Sequence, residues 1–393
     1  MMHGTSTVPQ RAGADAASPV HARGGSVLAA TLLVWLVGVV PPARAGGLPH
    51  MSRVWFEGGD RGWFIANQGV DPPGTGIEFV VGRTVNGGTD WTLTAGPPHG
   101  GAGELFFVDD RVGWATHGWV FGTRLLSTRD GGLSWAVQVD SPEAYLTDIY
   151  FSDPLVGWMR GASDNSDTVR VSRTVDGGVT WDVKASFARG LGPVSFLGPA
   201  HAWLATRYPH GLMATVDGGD TWRWTPGGDL AFLHFASPDV GWAGAYEDLE
   251  AVLYRTEDGG GSWMALPTVD VGSLHALGGR SDFLNDRDVW VLRGAAVNRG
   301  RNELIGSQDG GATWESLYVS SSRINDIHRI DRDTAWLGGE TLLHTTDAGR
   351  TWMEIEATAD DGAAHTGARS RRIDTWAAIR RHATPFGPDG EGQ

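Results

Sequence analysis

Asn86, Asp130, Asp176, Asp217, Asp258, Asp309 and Asp347 each stand third in an octapeptide that ends in tryptophan. The copies read TVNGGTDW from Thr84, TRDGGLSW from Thr128, TVDGGVTW from Thr174, TVDGGDTW from Thr215, TEDGGGSW from Thr256, SQDGGATW from Ser307 and TTDAGRTW from Thr345. A carboxylate flanked by hydroxyls is a setting in which a nucleophile or a metal ligand could work. A catalytic aspartate, however, is singular, and this one recurs in seven copies. The same residues suit a tight turn, where Asp accepts backbone hydrogen bonds and Gly supplies positive φ. The leading Ser or Thr hydroxyl offers a further local bond. The tryptophan can then lay an apolar face over the turn and against the next repeat. These seven side chains are expected to be structural.

Other chemistry is sparse. The chain has no cysteine, and the sequences G-x-x-x-x-G-K-[ST], H-E-x-x-H and G-x-S-x-G are absent. Asp164, Asn165 and Asp167 have the composition of a calcium loop, but such a run is more often a solvated turn. No metal and no cofactor is expected. Glycoside hydrolysis needs two facing carboxylates about 5–9 Å apart, and Glu104 with Asp148 is the first pair to inspect for it.

The elements that would position such groups follow from a repeat. The acidic positions of the octapeptides lie 44, 46, 41, 41, 51 and 38 residues apart. A second set is interleaved: Trp63, Trp114, Trp158, Trp203, Trp242, Trp290 and Trp336. Seven residues before each stands Phe56, Phe107, Phe151, Phe196, Phe235 or Phe283, with Arg329 the exception. The third unit parses into strands at Thr147–Ser152, Val156–Arg160, Thr168–Thr174 and Thr180–Ala185, the octapeptide closing the last hairpin. Units of about 40–45 residues with four strands are propeller blades. The fold expected is all-β, a seven-bladed propeller of four-stranded antiparallel blades over residues 46–358.

Composition agrees. Asp outnumbers Glu 33 to 13 and Lys184 is the only lysine, a balance of turns rather than helices. Nineteen tryptophans exclude a disordered chain, and a net charge of −15 excludes a nucleic-acid partner. Arg11, His21 and Arg23 precede an apolar run, Val27 to Val40, followed by Ala43-Arg44-Ala45. Residues 1–45 read as a cleaved signal peptide, which places the mature protein in the periplasm or outside the cell. Residues 359–393 read as a linker and basic tail. Arg369–Arg381 holds five arginines, with Ile373, Trp376, Ala377 and Ile379 roughly on one side, a short amphipathic helix candidate or a disordered tail. Docking on the acidic propeller, membrane contact and partner binding are all open to it.

The octapeptides resemble Asp-box motifs, or bacterial neuraminidase repeats, of the form S/T-x-D-x-G-x-T/S-W. Only the first copy departs, with Asn86 and Asp90. Asp boxes are shared by several propeller families. The ending RT-x-D-G-G-x-T/S-W after Arg173 and Arg255, and the stretch F-x-D-x-x-x-G-W from Phe151 to Trp158, look most like the photosystem II assembly and stability factors. That resemblance implies a non-enzymatic scaffold that holds a partner polypeptide, with the boxes as fold staples away from the site. A sialidase-type glycan-binding or glycoside-hydrolysing propeller is the alternative, although the F/Y-R-I-P signature is absent.

In such a propeller the octapeptide turns and the strand 1–2 turns share one face, and the long strand 2–3 loops lie on the other. Loops on a rigid scaffold carry function, so binding is expected on the second face and at the channel mouth. Strand one should line the channel. Its polar and aromatic columns supply Arg53, Trp55, Glu104, Asp148, Tyr150, His234, Arg280, Asp282, Asp326 and His328 as candidates for holding a protein, peptide or glycan.

Overall fold

A computed structural model describes residues 48–69, 77–98, 101–119, 122–141, 144–163, 168–188, 191–207, 209–247, 250–267, 281–293, 302–356, 358–359 and 370–374. Residues 1–45, read above as a signal peptide, together with Arg280, the acidic run 164–167 and most of the long loops, lie outside these residues.

Seven antiparallel sheets follow one another along the chain, each holding four sequence-consecutive strands in an up-and-down order. Blade 3 is representative, with strands Ala144–Phe151, Gly157–Ser163, Thr168–Thr174 and Asp182–Ala188. Its fourth strand starts two residues later than the sequence parse because Thr180 and Trp181 still belong to the turn. First strands of consecutive blades touch at five of the seven junctions, including blade 7 (Ile324–Arg329) against blade 1 (Met51–Glu57), so the strands surround one axis and the ring closes. No helix occurs among the described residues.

The apolar residues fall into seven clusters, one at every junction between blades. The F-x6-W spacing builds each junction. Trp63 stacks on Phe107 of the next blade at 4.0 Å, Trp114 on Phe151 at 3.4 Å, Trp203 on Phe235 at 3.8 Å and Trp336 on Phe56 at 4.0 Å. Where the column has Arg329 instead of Phe, its guanidinium lies over Trp290 at 4.2 Å and keeps the junction as a cation–π contact. The glycine before the tryptophan has a packing reason. A Cβ on Gly62, Gly113, Gly157 or Gly241 would lie within 2.6 Å of the phenylalanine ring on its own first strand. Blade 4 has Ala202 at that position, and there the Trp158–Phe196 separation is 5.6 Å.

All seven octapeptides close the hairpin between strands three and four. In blade 3 Asp176 Oδ1 accepts from Thr174 Oγ1 (2.8 Å) and from the Thr180 N–H (2.9 Å), while Oδ2 accepts from the Thr180 hydroxyl (2.6 Å). Thr174 Oγ1 in turn accepts the Gly178 N–H at 2.9 Å. The departing first copy has exchanged roles rather than lost them. Asn86 Oδ1 accepts from Thr84 and from the Asp90 N–H, and Asn86 Nδ2 donates to the Asp90 carboxylate at 2.8 Å. The turn also binds its surroundings. The Gly177 N–H donates to Leu155 O on the strand 1–2 turn, with an equivalent bond in every blade, so both sets of turns lie on one face. The indoles of Trp63, Trp203 and Trp242 donate to Gly131 O, Gly259 O and Gly310 O, each in the octapeptide of a later blade. The octapeptide tryptophan packs against the preceding blade, as Trp135 does against Trp63 and Ile65, rather than the next one.

Two predictions follow from the turn. Replacing Asp176 with Ala removes three acceptor bonds and should lower stability by about 1–2 kcal/mol, the cost of a lost cap, as read from denaturant melts. Ala348 has φ +58°, the only non-glycine with positive φ among the described residues, at a position filled by glycine in the six other copies. Ala348→Gly should therefore raise stability by about 1 kcal/mol.

Beyond strand four of blade 7 (Thr351–Ile355) the chain adds two short strands. Thr358–Ala359 pairs in parallel with Asp90–Trp91 on the outer strand of blade 1. Ser370–Asp374 pairs antiparallel with Thr351–Ile355. The first five residues after Arg369 in the stretch read as a helix candidate are thus extended; the rest of it lies outside the described residues.

Candidate functional site

Strand one is an edge of each sheet, so part of its backbone has no partner within the blade. The side chain just before the Phe column meets that need across the junction. His328 Nε2 donates to Phe56 O at 2.8 Å, Ser195 Oγ accepts the Phe235 N–H at 2.9 Å, and Asp282 Oδ2 accepts the Arg329 N–H at 3.3 Å. Elsewhere the same column makes ring contacts or a longer reach. Trp55 lies 4.9 Å from Phe106, Phe106 lies 5.6 Å from Tyr150, His234 stacks on Phe283 at 4.3 Å, and Tyr150 Oη accepts the Gly198 N–H at 2.9 Å. Trp55 is also 4.4 Å from His328. Every member of the column touches the following blade, and the contacts close into a belt. The first partners of these side chains are the neighbouring blades.

The column two residues earlier holds the charges. Arg53 donates to Glu104 through Nε (3.2 Å) and Nη2 (3.0 Å), a bidentate pair between blades 1 and 2. Asp326 of blade 7 accepts the Val54 N–H at 2.8 Å and is buried. Asp148 of blade 3 pairs with Arg160 at 2.6 Å, and Arg160 also donates to Thr147 Oγ1 and to Gly192 O of blade 4. Along strand one these charges lie farther from the strand 1–2 turn than the belt does. They therefore form a layer on the side of the strand 2–3 loops, above His328, Trp55, Phe106 and Tyr150 of the same four blades. Arg53, Glu104, Asp148 and all four rings are partly exposed.

Burial sets the protonation here. It pushes Asp326 up to about 7, because Arg53 and the Val54 N–H only partly offset the lost hydration and Glu104 adds to it. Burial opposes the charge of Arg53, but Glu104 and Asp326 more than offset this and raise its pKa. His328 and His234 are held down to about 4 by burial and stay neutral, which agrees with His328 donating to a carbonyl. Asp282 is pushed up to about 6 by burial, against the pull of Arg329.

Glu104 and Asp148, the pair inspected for glycoside hydrolysis, are each engaged by a different arginine. Arg160 was not singled out from the sequence. It stands on strand two, and only the folded register brings it beside Asp148. Among the described residues no group of three or more His, Asp or Glu side chains could hold a metal ion.

No family model matches the chain, and no curated protein does. Solved structures match in fold. YCF48 from Cyanidioschyzon merolae is 16% identical, with a TM-score of 0.53 over 76% of this chain and 95% of that one. An oligogalacturonate lyase from Vibrio parahaemolyticus is 12% identical, with a TM-score of 0.55 over 82% and 98%. A GH74 enzyme from Niastella koreensis is 12% identical, with a TM-score of 0.50 over 82% of this chain and 55% of that one. At these identities the likeness shows the propeller fold and extends equally to enzymes.

Proposed function

We propose that the protein is an exported, non-enzymatic propeller that holds a protein or peptide segment at the channel mouth, on the face of the strand 2–3 loops. The observation that carries this is the half-exposed charged layer of blades 1, 2 and 3, beside the buried Asp326 of blade 7, over an aromatic shelf. Its carboxylates Glu104 and Asp148 are committed to Arg53 and Arg160. A general acid–base pair needs carboxyls free to exchange protons with a sugar oxygen, whereas arginine-clamped carboxylates on rigid strands suit recognition of polar and cationic groups on a chain. The Asp boxes act as staples, the partner is a polypeptide, and no cofactor is required.

The test is partner capture from the exported fraction with the protein and with a Glu104→Gln, Asp148→Asn double variant. Binding should fall about tenfold in the variant with little change in melting. It should also weaken as salt rises, since exposed charges are screened beyond about 8 Å at physiological ionic strength. The glycan-active reading draws on the same shelf. Turnover of sialosides or β-glucans that disappears in the double variant would establish that reading instead.

A further inference from the structure

The turn face, opposite the proposed binding face, is apolar on one side. Val85, Leu133, Leu155, Val175, Val179 and Val216 stand at turn tips of blades 1–4 with 46–69% of their surface exposed. The second octapeptide position gives Val85, Val175 and Val216 in blades 1, 3 and 4, Arg129 in blade 2, and Glu257, Gln308 and Thr346 in blades 5–7. The asymmetry is confined to a surface whose turns are otherwise built alike. Between these tips lie the box carboxylates Asp130, Asp176 and Asp217, held ionised by the turn's own N–H and hydroxyl donors.

The chain itself delivers a complementary segment to this face. Ser370–Asp374 runs antiparallel to Thr351–Ile355, with Ser370 opposite Ile355 and Asp374 opposite Thr351. Thr351 is the seventh residue of the blade 7 octapeptide, so the chain leaves Asp374 at the turn face. The following seven residues are Thr375-Trp-Ala-Ala-Ile-Arg-Arg381. Extended, the five residues to Ile379 reach about 17 Å and the seven to Arg381 about 23 Å, which with the side chain of Ile379 spans two blades spaced about 10 Å apart, as packed sheets are. Blade 7 adjoins blade 1, which carries Val85, and blade 2 follows with Leu133.

We infer that Thr375–Arg381 docks on the turn face of blades 1 and 2, with Trp376 and Ile379 over Val85 and Leu133 and with Arg380 and Arg381 toward the box carboxylates. Three observations carry this: the register that brings the chain to that face, the exposed aliphatic tips beside it, and the opposite charges of segment and surface. The segment covers the part of the apolar sector nearest blade 7, at Val85 and Leu133, and with the Thr358–Ala359 strand ties blade 7 to blade 1 from outside.

The chain has no cysteine, so engineered pairs report cleanly. Full-length protein carrying Ile379→Cys together with Val85→Cys or Leu133→Cys should form an intrachain disulfide on mild oxidation with diamide. Faster migration on non-reducing gels and a linked peptide by mass spectrometry would show it. Ile379→Cys with Arg207→Cys, on the strand 2–3 side of blade 4, is the control for random encounter and should link far less. Adding Arg380→Glu and Arg381→Glu should lower linkage about fivefold, the order expected from two exposed ion pairs. Equal linkage at Arg207→Cys, or no intrachain linkage at either tip, overturns the inference. Interchain linkage alone would show that a second copy covers the patch and overturns it too.

Discussion

Trp114→Ala should destabilise the protein by about 3–5 kcal/mol, the range for emptying the site of a large buried aromatic. Trp114 is 1% exposed and stacks on Phe151 at 3.4 Å, and Trp181 closes the same cluster from the octapeptide of blade 3. Its indole N–H also donates toward Gln138 and Gly177. Truncation therefore opens one junction, and a closed ring cannot relax that gap without shifting its other junctions. Gly157→Ala tests the same contact from the opposite side. The added methyl would sit 2.5 Å from the Phe151 ring and push it off Trp114, at a cost of about 1–3 kcal/mol. Urea unfolding of both variants checks this. A loss below 1 kcal/mol for Trp114→Ala would mean that the junctions do not carry the stability of the ring.

That architecture was legible in the sequence because its signals are local and repeated. An octapeptide fixes a turn within eight residues, and a spacing of seven fixes a hairpin. Even the exceptions could be placed, since Arg329 and Asn86 fall at known positions of the pattern, although what replaces the missing interaction was not readable. Arg329 stacks where Phe would, and Asn86 borrows the carboxylate of Asp90. Both compensations depend on side-chain geometry that a one-dimensional pattern does not carry.

The site was less legible. Period-two alternation separates the faces of strand one, and it did find the columns that hold Arg53, Glu104, Asp326 and His328. It says nothing about which blade a face meets. His328 and Asp326 reach backbone groups 272 residues away in sequence, at Phe56 and Val54. Arg160, which pairs with Asp148, sits on a strand whose pattern is apolar and glycine-rich, so nothing marked it. The closure of the ring was likewise unreadable: the four main strands of every blade are consecutive in sequence, and the seam is made by side chains together with the two-residue Thr358–Ala359 strand on the outer edge of blade 1. Asn325, Asp326 and His328 bond to Met51 O, the Val54 N–H and Phe56 O in turn.

The seam should make stability depend on pH through Asp326. Asp326 is 9% exposed, and burial lifts its carboxyl from 3.8 to about 7 in the folded chain. Arg53 limits the rise but spends Nε and Nη2 on Glu104 and Nη1 on Ser52 O. A carboxyl raised in this way binds its proton more tightly when folded. Its contribution to stability is therefore complete below about 3.8 and is lost as pH climbs through about 7. His328 acts in the opposite sense. Held down to about 4 from 6.5, it contributes fully above 6.5 and loses that contribution as pH falls toward 4. Asp282 and His234 repeat the two senses at other junctions. Over pH 4 to 6.5 the opposing groups flatten the profile of the wild-type protein. Asp326→Asn keeps an acceptor for the Val54 N–H and removes only the titration. Relative to wild type, the variant should gain about 2–4 kcal/mol between pH 4.5 and pH 8, with the discount that the pull of Arg53 demands. It should also lose stability more steeply than wild type as acid is added, because His328 is no longer opposed across the seam. Denaturant midpoints at the two pH values decide the matter: parallel shifts in the two proteins would show that the Asp326 carboxyl is hydrated and ionised, and that the seam is held by charge rather than by a buried proton.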